Sequence, residues 1–252
     1  MSTEDTGSID EAVVTSNAEK PVFIPAGQML EGETQARVVA QGMIILPGEV
    51  RIIPVVCVHQ SHPIVERAPL RPGKVAPGSV ERRLYTDRRA RGSTRQNKVW
   101  DSVRRYGEVS PTDQADDLSA THSRRIEAMR KVLSQLPETR NQVGLAIMVP
   151  IGVGSLECFD LPDSWRGMGN SLIEKEVETL GQTMADFDSV FEYKPQKARS
   201  VLRAFLQREF VVETIISGCN WETIGISTRN YAGEATIMDS NIIHVSLGRK
   251  GR

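Results

Sequence analysis

Cysteine is scarce in this chain: 3 in 252 residues, an odd number with no Cys-x-x-Cys pair, which excludes a disulfide framework and a zinc ribbon. Long apolar runs are missing as well. Stretches such as Met43-Ile44-Ile45-Leu46 fall far short of the roughly 20 residues that span a bilayer. Met1 to Lys20 is acidic and polar, with no positively charged start before an apolar block, so no signal peptide is read there. The motif G-x-x-x-x-G-K-[ST] of a Walker phosphate cradle does not occur, nor does H-E-x-x-H of a zincin or G-x-S-x-G of a hydrolase elbow. Gly152-x-Gly154 follows a strand pattern, but Glu157 stands where a dinucleotide fingerprint has its third glycine, and a hairpin turn is the better reading. These absences point to a soluble, cytoplasmic protein without membrane contact.

Hydrophobic residues make up 39% and charged residues 25%, ordinary globular usage in a chain long enough to bury a real core. The net charge of −1 hides an asymmetry. Arg67 to Arg105 holds 12 basic residues against Glu81, Asp87 and Asp101, a balance of +9, so the remainder carries −10. Residues 1–20 are acidic and poor in large apolar side chains, which predicts a disordered acidic tail. From about 61 to 95 the composition is Pro, Gly and Arg without periodicity, which predicts a long exposed basic loop.

Between these features the patterning predicts an α+β fold: antiparallel hairpins interleaved with about four helices, one compact domain over 21–248. Arg37 to Leu46 and Arg51 to Val58 are rich in Val and Ile and flank Pro47-Gly48-Glu49, a hairpin signature. Asn97 to Tyr106 has helical spacing. Ser110-Pro111-Thr112-Asp113 is a helix start, behind which Leu118, His122, Ile126, Met129, Leu133 and Leu136 recur at helical steps until Pro137. Gln142 to Pro150 and Ser155 to Phe159 predict a second hairpin, Pro162 to Leu180 a helix closed by Gly181, and Pro195 a helix fading before Gly218. Thr223 to Ser227, Glu234 to Met238 and Ile242 to Leu247 read as strands.

Cys57-x-His59-x-x-His62 has metal-like residue types, but a fourth ligand would have to come from elsewhere, and a buried Cys57 beside two loop histidines is the simpler reading. His244 alternates with Ile243 and Val245, which places it toward solvent or in a pocket where it could exchange a proton near neutral pH. The basic stretch could track a nucleic-acid backbone, close over a phosphorylated ligand, or be a solvated linker. Its only aromatic before Trp100 is Tyr85, which weakens the single-strand nucleic-acid reading.

Four stretches, taken in order, resemble the ARG-and-rhodanese-phosphatase-superfamily-associated protein domain family. They are Ile24-Pro25-Ala26-Gly27 with Gln35-Ala36-Arg37 and the strand ending Cys57-Val58; Arg95-Gln96-Asn97-Lys98-Val99-Trp100; Gly144 to Ile147 with Leu156-Glu157-Cys158-Phe159-Asp160 and Asp163-Ser164-Trp165; and Ile243-His244-Val245-Ser246. The family tends to have Gln-Asn-Arg at Gln35-Ala36-Arg37 and Glu-Gln at His59-Gln60, so no catalytic carboxylate is assigned at position 59. The resemblance implies a ligand derived from NAD or ADP-ribose, or a protein partner in that metabolism.

The expectation is therefore a binding or sensor domain for a phosphorylated nucleotide-like small molecule. Arg37, Arg95 and Gln96 would hold phosphate or ribose, Trp100 would form a wall, and Cys57, His59 and His244 would line the pocket. No cofactor and no metal are expected, and no nucleophile–base pair is recognisable. The alternatives are an enzyme of the same metabolism, with His59 or His244 as base and Cys57 as nucleophile or ligand, and a basic-loop protein binding nucleic acid or an acidic partner.

Overall fold

Residues 1–20, expected as a disordered tail, are part of the fold. Ser2–Asp5 (β1) and Glu11–Thr15 (β2) pair with one another and belong to a closed six-stranded barrel. The correction has a physical cause. A barrel strand buries only alternate side chains, and small ones suffice: Thr3 and Asp5 point inward from β1, Ala12 and Val14 from β2. In the computed structural model, which describes residues 1–32, 36–59, 65–88, 92–108, 117–136, 139–150, 152–177 and 195–250, the chain packs as two compact units, Met1–Glu127 and Ala128–Arg252.

The first unit holds the barrel. Its remaining strands are Gln28–Glu31 (β4), Ala36–Val39 (β5), Val50–Cys57 (β7) and Pro69–Val75 (β8), arranged β1-β2-β7-β5-β4-β8. Val22–Ile24 (β3) and Met43–Ile45 (β6) pair separately. The hairpin expected across Pro47-Gly48-Glu49 does not form as such: β6, the strand before that turn, pairs with β3, and β7 instead meets β5 further back in the chain, in the register Arg37↔Cys57 and Val39↔Val55. The turn at Gly48 joins β6 to β7, and its φ of +72° suits a residue without a Cβ. The stretch read as a basic loop is also largely regular: it supplies β8, Gly78–Thr86 (α1) and the start of Gly92–Glu108 (α2). Leu70, Val75, Val80 and Leu84 are buried along it, while Arg71 on β8 is exposed and Arg82 and Arg83 on α1 are half-buried. A core of Met29, Val38, Val56, Val80, Leu84, Val99 and Val103 joins the barrel to α1 and α2. Leu118, at the start of α3 (Leu118–Leu133), completes it.

The second unit is built on one antiparallel sheet. Its strands are Gly144–Val149 (β9), Gly152–Phe159 (β10), Val211–Ser217 (β11), Trp221–Ser227 (β12), Tyr231–Met238 (β13) and Asn241–Arg249 (β14), in the order β11-β12-β13-β14-β10-β9. Asp239 and Ser240 both adopt positive φ, +49° and +66°, the backbone of a tight turn that matches the strand twist between β13 and β14. Pro162–Glu174 (α4) packs on β9 and β10, and Pro195–Leu206 (α5) packs on β10. Val211–Ser217, expected at the fading end of a helix, is a strand because Val211, Val212, Ile215 and Ile216 are β-branched and continue the sheet beyond β12. The architecture is α+β, with five helices among the described residues, none long and apolar enough to cross a membrane.

Gln35, residues 60–64 with His62, the helix start at Ser110-Pro111-Thr112-Asp113, Pro137, Leu180 and Gly181 lie outside the described residues.

Candidate functional site

Arg37 lies on β5 with its side chain wholly inside the barrel. Its Nε and Nη2 donate to Asp5 Oδ2 at 3.2 and 2.8 Å, its Nη1 to the Ile9 carbonyl at 2.5 Å, and Nη2 also to the Ser8 carbonyl at 2.9 Å. A guanidinium is a planar fork, and this one is spent on the N-terminal segment. Arg37 is therefore a clamp that fixes β1 and the turn behind it, with its donors committed to protein groups rather than to a ligand. Sequence reasoning missed its partner, because Asp5 stood in the expected tail.

At the end of β7 a side-chain amide substitutes for a neighbouring strand. Gln96, buried on α2, accepts the Cys57 N–H at Oε1 (3.0 Å) and donates Nε2 to the Cys57 carbonyl (2.6 Å). The Cys57 thiol donates to the His59 carbonyl at 3.0 Å. Burial pushes this thiol's pKa up, and the opposing pulls of the His59 backbone and the Arg37 charge do not undo the shift. A nucleophilic cysteine needs the reverse environment. His59 Nε2 stands 3.5 Å from Asp117 Oδ1.

Arg95 and Gln96 open onto a cavity of about 390 Å³, with Asp10 and Glu11 next to β2 on one wall, Pro54 to Val56 of β7 as an apolar floor, and Arg88 beyond α1. Arg95 is positioned there by donating Nη2 to the Ala40 carbonyl at 3.3 Å. Both arginines are half-buried, so their charges are screened less than those of fully exposed side chains. The structure thus brings Arg95 and Gln96 of the expected set to one hollow and places Cys57 directly behind Gln96. Arg37, His59 and Trp100 are not among the described residues lining it, while Asp10, Glu11 and Arg88 are additions.

His244 belongs to the second unit and is not on the solvent side: it is buried in β14, with Phe159 against its ring at 4.5 Å between centroids. The register aligns Glu157 of β10 with Ser246 of β14 and Glu234 of β13, and the next row aligns Phe159, His244, Thr236 and Thr223. One sheet face therefore carries a buried polar patch. Within it Ser246 Oγ donates to Glu157 Oε1 at 2.7 Å, His244 Nε2 lies 3.0 Å from Glu157 Oε2, and Lys175, just past α4, donates Nζ to Glu157 Oε1. Burial would raise the Glu157 carboxyl, but the Lys175 ammonium and the His244 contact hold it down at about 2. An ionised carboxylate only accepts, so Nε2 carries the proton in that bond. The opposite face is apolar, with Val153, Tyr231 and Leu247 around Phe205 of α5. Glu157 and Ser246 stand inside the stretches that carry the family resemblance. A charged residue between Leu156 and Cys158 in an apolar strand was the available signal.

The second unit also has a wider hollow of about 800 Å³ beside α4, with Trp165, Arg140 and Arg166 in its lining. Arg166 is paired with Asp163, and both arginines there are exposed.

Among known proteins, the family model of the ARG and Rhodanese-Phosphatase-superfamily-associated Protein domain matches residues 2–248 of the chain. No curated protein and no solved structure matches it.

Proposed function

We propose that this chain, which belongs to the ARG and Rhodanese-Phosphatase-superfamily-associated Protein domain family, is a binding or sensor domain for a phosphorylated, nucleotide-like small molecule derived from NAD or ADP-ribose. The observation that carries the reading is the pairing of charges in the barrel-side cavity. Arg88 and Arg95 face the same hollow as Asp10 and Glu11, with the Gln96 amide between strand and cavity. Guanidinium groups match phosphate oxygens two at a time, and carboxylates accept hydrogen bonds from sugar hydroxyls. The volume of about 390 Å³ falls within the range of small-molecule sites. The wider hollow beside α4 is less suited, because Arg140 and Arg166 in its lining are exposed and solvent screens their charge. Binding rather than catalysis is proposed because the Cys57 thiol is held protonated and His244 is enclosed by Glu157 and Phe159.

Isothermal titration of the purified chain with ADP-ribose, NAD and ADP tests this. Binding is expected for at least one of them. Arg95→Ala and Arg88→Ala should each weaken it by about 10- to 100-fold, the worth of one charge-assisted hydrogen bond of roughly 1.5–3 kcal/mol. Silence from all three ligands at millimolar concentration, or an affinity that neither substitution changes, overturns the proposal.

A further inference from the structure

We propose that the chain forms a two-fold symmetric dimer in which β11 of one copy pairs antiparallel with β11 of a second copy, joining two six-stranded sheets into one. β11 is the terminal strand of its sheet among the described residues. Val211 to Thr214 are exposed in succession. Side chains alternate between the faces of a strand, so four consecutive exposed residues mean that neither face is covered there. Val211 is 71% and Val212 55% exposed, and Leu206 at the end of α5 is 57% exposed.

Soluble proteins usually blunt such an edge with lysine, proline or a very short strand. β11 has none of these: it runs for seven residues, four of them Val or Ile, with Glu213 as the single charge. Its one irregularity, a register shift between Thr214 and Ile216, leaves Val211 to Thr214 as the regular part that another strand can follow.

A second copy is the occupant this edge fits. In an antiparallel pair about a two-fold at Val212, Val212 meets its own copy and Glu213 meets Val211, so the only charges are never opposed. Such isologous pairing uses each β11 edge once, so the assembly stops at two.

The test is the mass of the full chain in solution by light scattering and sedimentation, from about 1 to about 100 µM. A species of twice 27.9 kDa is expected. Val212→Lys, at an exposed site, should raise the dissociation constant at least about tenfold without changing the circular dichroism. Ile52→Lys, exposed on β7 of the other unit, should leave it unchanged and serves as the control. In a Cys219→Ser background, Val212→Cys should cross-link to a disulfide dimer under mild oxidation, while Ile52→Cys forms no disulfide-linked dimer on a non-reducing denaturing gel. A monomer throughout the concentration range overturns the proposal, as does a dimer that survives Val212→Lys and is not trapped by Val212→Cys.

Discussion

Replacing Lys175 by Met tests the buried polar patch of the second unit most directly. Lys175 and Glu157 are each about 1% exposed, and the ammonium sits on Glu157 Oε1. Met keeps the length of the side chain and removes its charge, leaving a carboxylate with only Ser246 Oγ at 2.7 Å and His244 at 3.0 Å. Breaking one side of a buried pair costs about 3–5 kcal/mol. For a unit of this size each kcal/mol displaces the melting temperature by about 4 °C, so a fall of roughly 12–20 °C is expected at pH 7.

The pH dependence makes the test specific. In the natural protein Glu157 is depressed to about 2, so its contribution is complete above the ordinary carboxylate pKa and is lost as pH falls toward 2. In Lys175→Met, burial dominates and the carboxyl rises above its unfolded value. The folded variant then gains a proton on mild acidification, and its deficit shrinks between pH 7 and pH 4.5. Calorimetry at the two pH values, with hydrogen exchange of the β10 and β14 amides, reads both quantities. The reasoning is refuted if the loss is under about 1 kcal/mol, if it is equal at both pH values, or if Lys175→Met with Glu157→Gln is no more stable than Lys175→Met alone.

Asp5→Ala strands the Arg37 guanidinium in the barrel and should cost about 3–5 kcal/mol by urea unfolding, whereas loss of a side chain from a disordered tail would cost nothing. His122, fully buried against the Tyr106 hydroxyl at 2.8 Å, has its pKa lowered to about 4, first by burial and then by the Lys74 charge. An NMR titration should place its midpoint there. Because the unfolded imidazole takes up its proton first, stability of the first unit should fall by about 3 kcal/mol as pH drops from about 6.5 to 4, a slope that His122→Asn removes. Gln96→Ala loses both hydrogen bonds to Cys57 and should destabilise by about 2 kcal/mol in the same unfolding measurement.

What the sequence made legible was local. The strands β5, β6 and β7 follow from Val and Ile runs on either side of Pro47-Gly48, though not their partners, and the helix at Pro195 follows from Ala198, Val201, Leu202 and Phe205 on one face. What escaped depended on partners far away in the chain. Asp5 belongs to the fold because Arg37, 32 residues later, meets it inside a barrel, whereas acidity and the scarcity of large apolar side chains suggested disorder. Glu157 and His244 are 87 residues apart, so His244 read as a lone histidine in an apolar strand and Glu157 only as the residue in place of a third glycine. The basic stretch misled because its arginines outnumber the few apolar residues, Leu70, Val75, Val80 and Leu84, that do the folding. β11 was legible in Val-Val-Glu-Thr-Ile-Ile, but the helical periodicity running up to Leu206 masked the change of period.

Barrel closure ties β1 to β8 through the pairs Thr3↔Leu70 and Glu4↔Pro69, and this orders events during synthesis. The first strand leaves the ribosome about 70 residues ahead of the strand that seals it, an interval of roughly 4–14 s at about 5–20 residues per second. Over that interval the nascent β1–β2 ribbon has an open flank available to chaperones, and force-profile measurements on stalled chains should register sealing only once Val75 has emerged.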